Sequence, residues 1–332
     1  MCVPAYLFPE RLAITKGRQI IPGVVICSLT GPWKEEILSH LNRFKTHQFE
    51  FHPTHIIKIR TDDYKRQVVS RIRRDGSEFD AKDLRFIEYD GISKQLMLSL
   101  MLASRLKFKF RGCFHFKADT GKAIGYRMTS FGNSSLYAAS DLVWGAAYKT
   151  QLRTEWTQAS RIALKMDRYF RSGVWWSDRL SMGIQYFWNG LCSSMPEQAF
   201  LSLMSSLESL LSTQRSEITH LLSERVAIIL GKGRISRLRI YKQMKQLYGI
   251  RSGLVHGKAF SKRGKQTTES LIVSAKYSNV PRSAMGELVD ITRSIIICLL
   301  SRPTYLRIVQ TKRNEDKTSQ ELDAYFLKQL FS

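Results

Sequence analysis

The sequence predicts an α+β chain in which a mixed α/β N-terminal domain precedes an all-α helical bundle. Three observations carry this. The first 150 residues hold β-branched and alternating stretches. From about residue 151 the apolar residues recur at helical spacing. The length of 332 residues suits two domains, at roughly 100–200 residues each. The expected boundaries are 1–150, 151–310 for the bundle, and 311–332 for a polar linker with a short terminal helix.

Taken in order, Gln19–Ser28 is apolar and β-branched, and Thr30-Gly31-Pro32 breaks it. Trp33–Phe44 reads as an amphipathic helix. In Arg105–Lys117, Leu106, Phe108 and Phe110 alternate with Lys107, Lys109 and Arg111. That is the period of a half-exposed strand with a basic outer side. Asp75-Gly76 and Asp119–Gly121 suit turns. Helices are expected near 152–171, 178–192, 197–213, 217–230, 235–255 and 282–301. Pro196-Glu197 suits a helix start, because proline fits the first turn and an acid fits the positive end of the dipole. Phe200, Leu203, Met204, Leu207, Leu210 and Leu211 then keep the 3, 4 spacing. Ile218, Leu221, Leu222, Arg225, Val226 and Ile229 repeat it, and Gly231 and Gly233 end that helix. Pro281 opens another, with Leu288, Ile291, Ile295, Ile296 and Leu299 on one face. Thr311–Gln320 reads as the polar linker.

Composition narrows the chemistry. Lysine plus arginine is 52 and aspartate plus glutamate is 28, a net charge of +24. Such a surface attracts polyanions and argues against an acid-rich calcium protein. The five cysteines form no CxxC pair, which removes the usual zinc patterns. Scattered thiols suit a reducing compartment. The longest apolar run is near Ile295–Leu300, far below the roughly 20 residues of a membrane helix. The N-terminus carries Pro4, Pro9 and Glu10, unlike a secretory signal. A cytoplasmic protein without membrane partners is expected.

The charge is unevenly placed. Arg225 to Thr268 is a run of 44 residues with no acid and with twelve lysines and arginines. A solvated helix face normally mixes signs to gain i,i+4 pairs. A single-sign field attracts phosphates, although general basicity accounts for part of it.

Inside this run, Arg251 and His256 are separated by four residues in Tyr248-Gly-Ile-Arg-Ser-Gly-Leu-Val-His-Gly257. This Arg-x4-His pattern resembles the HEPN superfamily of small helical bundles, many of them metal-independent ribonucleases. The segments FLSLMSSLESLLSTQRSEITHLLSERVAIILG and IYKQMKQLYGIRSGLVHG are similar to the Apea-like HEPN branch. That branch has a leucine-rich helix with a Glu, a second helix with Ser-Glu-Arg, and a Tyr-x-x-Arg-Ser-x-x-Val-His-Gly helix end. The match covers 200–257 best and 160–305 more loosely, and it says little about 1–150. Lys258 stands where some HEPN toxins carry a tyrosine, and Ser252 where a stronger polar group often follows the arginine.

The resemblance implies an endoribonuclease of bacterial antiphage defence or toxin type, without cofactor or metal, acting as a homodimer or higher oligomer. Residues 1–150 would be its sensor or regulatory part, with an activating or inhibiting partner. The alternative is a non-catalytic HEPN module for RNA binding or dimerisation.

The residue types suit the chemistry. Metal-free RNA cleavage needs a base for the 2′-OH proton, an acid for the leaving 5′-oxygen, and charge against the phosphorane. His256 suits proton transfer, and the planar fork of Arg251 suits phosphate. Five residues turn about 140° on an ideal helix, so the pair does not share one face. Either the helix end distorts at Gly253 and Gly257, or two chains pool their pairs in one cleft. The plainer reading is that His256 favours a helix C-terminus and Arg251 is solvated. Ser252 and Tyr248 are supporting candidates, Tyr248 being either core or a stacking platform. Lys242, Lys245, Lys258, Lys262 and Arg263 are expected either in solvent or on the RNA backbone. Glu208 and Arg225 lie on otherwise apolar faces, and buried charges require partners, so the two are expected to form a structural ion pair, the lesser reading being that they support the catalytic residues from behind.

Other signals are weak. His52-Pro-Thr-His55 has no matching ligand pair nearby and reads as a loop. Gly231-Lys-Gly233 follows a helix, whereas a nucleotide loop follows a strand. No GxSxG is present. Trp175, Trp176, Tyr186, Phe187 and Trp188 read as core or subunit interface, with nucleobase stacking a lesser reading.

Overall fold

The computed structural model describes residues 2–7, 18–21, 24–28, 55–59, 98–99, 102, 109–116, 123–127, 152–171, 178–193, 195–213, 217–256, 280–311 and 315–330. Among them are six strands: β1 Cys2–Leu7, β2 Arg18–Ile21, β3 Val24–Ser28, β4 His55–Ile59, β5 Lys109–Phe116 and β6 Ala123–Arg127. Eight helices follow: α1 Leu152–Arg171, α2 Arg179–Cys192, α3 Pro196–Leu211, α4 Ile218–Leu230, α5 Arg234–Val255, α6 Arg282–Leu299, α7 Pro303–Gln310 and α8 Glu315–Leu330. The described part from residue 152 onward is all-helical.

The strands form one antiparallel sheet in the order β2-β3-β4-β1-β5-β6. The apolar, β-branched stretch at 19–28 contributes to a β2–β3 pair, with Gln19 opposite Val25. The basic alternating segment supplies β5, which pairs with β1 through Val3 and Phe114. The expected helix at 33–44 and the turns at 75–76 and 119–121 lie outside the described residues.

The chain falls into two compact units. Among the described residues, the strands and residues 152–167 of α1 belong to the first; residues 168–171 and α2–α8 belong to the second. Helical structure thus begins at 152, while the division falls later, inside α1. In the first unit, Ser99 Oγ donates to Met166 Sδ at 3.2 Å.

The second unit is built on the close pair α2–α3. Leu180, Ile184, Phe187 and Leu191 form the inward stripe of α2, and Phe187 is wholly buried. Facing them, α3 buries all six apolar residues of its 3, 4 pattern. Two glycines let the backbones approach. A methyl at Gly190 would stand 2.8 Å from Leu203 Cγ, and one at Gly183 would clash with the Leu210 side chain. Ser206 Oγ donates to the Gly183 carbonyl at 2.6 Å across the same seam. Against this pair lie Leu222, Val226 and Ile229 of α4 and Leu288, Ile295 and Leu299 of α6, all buried.

Asp178 caps α2 by accepting from the Ser181 N–H at 2.8 Å, and the Tyr169 hydroxyl donates to the same carboxylate oxygen. The second oxygen, Oδ2, is buried without a hydrogen bond. Burial raises the Asp178 pKa above the ordinary aspartate value, and the Tyr169 hydrogen bond opposes the shift.

The helix expected near 282–301 is found as α6, and the chain beyond it departs from expectation in two places. The chain breaks after Leu299 and restarts at Pro303 as α7, because proline suits a first turn but not a helix interior. Tyr305 of α7 is fully buried and donates to the Leu210 carbonyl at 2.9 Å. The linker expected over 311–320 is shorter, since α8 begins at Glu315. Glu315 and Asp316 place their charge in its first turn, where the dipole favours it. Leu322, Tyr325 and Phe326 of α8 are buried.

Candidate active site

The acid-free run lies, in its described part, on the last turns of α4 and along α5. α5 is 22 residues long but buries only Met244, Leu247 and Gly253. Its basic residues are Arg234, Arg237, Arg239, Lys242, Lys245 and Arg251. Lys242 and Lys245 are exposed. The Lys245 ammonium lies 5.7 Å from the Tyr241 ring centroid. Lys258, Lys262 and Arg263 lie outside the described residues.

Arg251 continues the buried stripe: Met244, Leu247 and Arg251 follow the 3, 4 spacing. Its side chain therefore faces α3, where Arg251 Nε lies 3.3 Å from Glu208 Oε1, with side-chain exposures of 29% and 20%. The contact is one of charge, because Oε1 is buried without an aligned hydrogen bond. The Arg251 guanidinium also lies 5.4 Å from the Tyr248 ring centroid. The Tyr248 hydroxyl reaches both the Glu208 carboxylate and Thr219 of α4. Burial raises the Glu208 pKa above the ordinary glutamate value, against the opposing pull of Arg251. Burial, followed by the Glu208 charge, raises that of Tyr248.

The expected Glu208–Arg225 ion pair does not form. Arg225 is 3% exposed. It pairs with Asp323 of α8, donates to the Leu211 carbonyl and to Thr213 Oγ1, and stacks 4.7 Å from the Phe326 ring centroid. Both charges sit on buried stripes and both are paired, but the partners come from α8 and α5. For Arg251 a signal was present, since it falls four residues after Leu247 on the inward stripe. For Asp323 there was none, since it lies 98 residues from Arg225.

His256 is the C-cap residue of α5 and is exposed; its backbone N–H donates to the Ser252 carbonyl at 3.1 Å. Ser252 is half-buried. Arg251 and His256 share no hydrogen bond or ion pair among the described residues. One looks inward to Glu208 and the other outward at the helix end, as the ideal-helix rotation of about 140° requires.

Among the described residues, no group of three or more His, Cys, Asp or Glu side chains is placed to hold a metal ion. His52, Trp175 and Trp176 lie outside those residues, and His55 starts β4. Tyr186 and Trp188 are half-buried. No helix among the described residues is long and apolar enough to cross a membrane.

Comparison with protein-family models, curated proteins and solved structures gives no match.

Proposed function

We propose that the chain is a HEPN-type, metal-independent endoribonuclease, of α+β organisation, acting in the cytoplasm as a bacterial antiphage or toxin effector. The observation that carries this reading is the end of α5. Arg251 is held by Glu208 and Tyr248, and an exposed His256 follows in a run free of acid.

In this reading His256 moves a proton, and Arg251 stabilises the charge of the phosphorane. The 2′-oxygen attacks phosphorus as its proton goes to the base. The 5′-oxygen leaves with a proton from the acid, and a 2′,3′-cyclic phosphate results. Glu208 engages Arg251 through Nε, which leaves the two Nη groups for phosphate oxygens. Glu208 and Tyr248 are thus positioning residues, with Ser252 supporting. Lys242, Lys245, Lys258, Lys262 and Arg263 hold the RNA backbone.

Because Arg251 and His256 of one chain face apart, the reading requires two chains to pool their pairs about a two-fold axis, the commonest form of self-association. Residues 1–150 serve as the sensor or regulatory part and receive an activating or inhibiting partner. The same divergence favours the second reading, a non-catalytic RNA-binding or dimerising bundle, if the chain never pairs in this way.

One experiment separates the two. Total RNA is incubated with the purified chain in EDTA, beside His256→Ala. Cleavage leaving 2′,3′-cyclic phosphate ends, reduced about 10²–10⁴-fold in the variant, supports the enzyme. Binding without cleavage selects the module. A magnesium-dependent 3′-hydroxyl product would place the chemistry in a two-metal class.

A further inference from the structure

An open groove of about 550 Å³ is lined by Arg239, Lys242, Gln243, Gln246 and Glu287. The first four come from α5 and the last from α6. On α5 the spacing 3, 4, 7 places all four on one side of the helix, so they form one wall and Glu287 stands on the other.

Every lining side chain is polar, and none of the five is engaged in a hydrogen bond or ion pair with another described residue. The opposite charges across the groove do not close on each other. They leave room for a third group to satisfy both.

The mixture of groups selects the ligand. A site for phosphate alone would not include a carboxylate, which repels it. A nucleotide carries both complements: phosphate oxygens for Arg239 and Lys242, and a base edge for the carboxamides and the carboxylate. An ionised carboxylate only accepts hydrogen bonds, whereas a carboxamide both donates and accepts. Guanine has two neighbouring N–H donors, on N1 and N2, beside the acceptor O6. Uracil presents a single N–H donor on that edge. Bases of single-stranded RNA expose these edges to side chains.

We propose that this groove reads a guanine of single-stranded RNA. Glu287 accepts from N1–H and N2–H, the carboxamide of Gln243 or Gln246 donates to O6, and Arg239 and Lys242 hold the flanking phosphates. The proposal rests on the reading above in taking RNA as the ligand. Gln246 precedes Arg251 by five residues, about 7.5 Å along the helix axis.

The test uses the full chain and 2′-O-methyl pentanucleotides, in which attack by the 2′-oxygen is blocked, so that binding is read apart from cleavage. Fluorescence anisotropy should show UUGUU bound about tenfold more tightly than UUUUU. Glu287→Gln should bring the two to within about twofold while UUUUU binds at least as tightly as to the wild type, which also reports that the variant is folded. Gln246→Ala, at an exposed position, gives a second variant, in which the preference should shrink. Equal binding of both oligonucleotides by the wild type, or a preference that survives Glu287→Gln, would overturn the proposal. Cleavage of total RNA without guanine preference would sink the groove and spare the ribonuclease. A guanine preference without cleavage would do the reverse.

Discussion

Arg251 of α5 lies 3.3 Å from Glu208 of α3, joining the Arg-x4-His segment to the leucine-rich helix across the bundle. Burial pushes the Glu208 carboxyl toward its neutral form, and the facing Arg251 pulls it back toward the charged one.

Substitution at this contact should separate positioning from charge. Arg251→Lys keeps the charge but loses the planar fork. Turnover should fall by at least about 10²-fold while RNA affinity falls only slightly, because many other cations hold the backbone. Glu208→Gln should lower turnover by about tenfold with affinity unchanged. Single-turnover cleavage and filter binding on the same samples check both, and wild-type turnover in Arg251→Lys would remove it from the transition state.

Arg225 should behave differently, since its partners are structural. Arg225→Ala leaves the Leu211 carbonyl without its donor and Asp323 with only the Thr213 hydroxyl, and should cost about 3–5 kcal/mol. Asp323→Asn should cost less, because that side chain is 37% exposed and its oxygen still accepts. Urea unfolding followed by circular dichroism gives the order; equal losses would show that Asp323 carries the whole effect.

The helical glycines should divide by what lies above them. Gly190→Ala pushes a methyl against Leu203 and the Ala199 carbonyl oxygen, and should destabilise by about 1–3 kcal/mol. Gly249→Ala meets nothing within 4 Å, and should stabilise α5 by about 0.5–1 kcal/mol through helix propensity. Thermal melting of the two variants tests the contrast.

Asp178 gives a pH dependence of known sign. Its folded pKa is raised by burial, so the folded state holds the proton more tightly than the unfolded state. The resulting stability is full below the ordinary aspartate pKa, near 4, and is lost as pH rises through the raised value. Asp178→Asn keeps an oxygen for the Ser181 N–H and the Tyr169 hydroxyl. It should flatten this component of the stability profile in urea titrations from acid to neutral pH. A slope unchanged by the substitution would assign it to another group.

Helices were legible where apolar residues repeat at 3 and 4, because one buried stripe per helix suffices to write that pattern. The α3 stripe from Phe200 to Leu211 is an example, and all six of its residues are buried. The short helix α7 was not legible, because its eight residues carry only three buried positions, Tyr305, Ile308 and Val309. That Glu208 and Arg225 must each find a partner was also determined by sequence, since a charge on an apolar stripe is costly alone. Which partner each takes was decided only by tertiary structure. Asp323 reaches Arg225 because α8 returns across the bundle, and Arg251 takes Glu208 because the α5 stripe turns it toward α3. Local spacing fixes the face on which a residue lies; only the packing of helices distant in sequence fixes what that face meets.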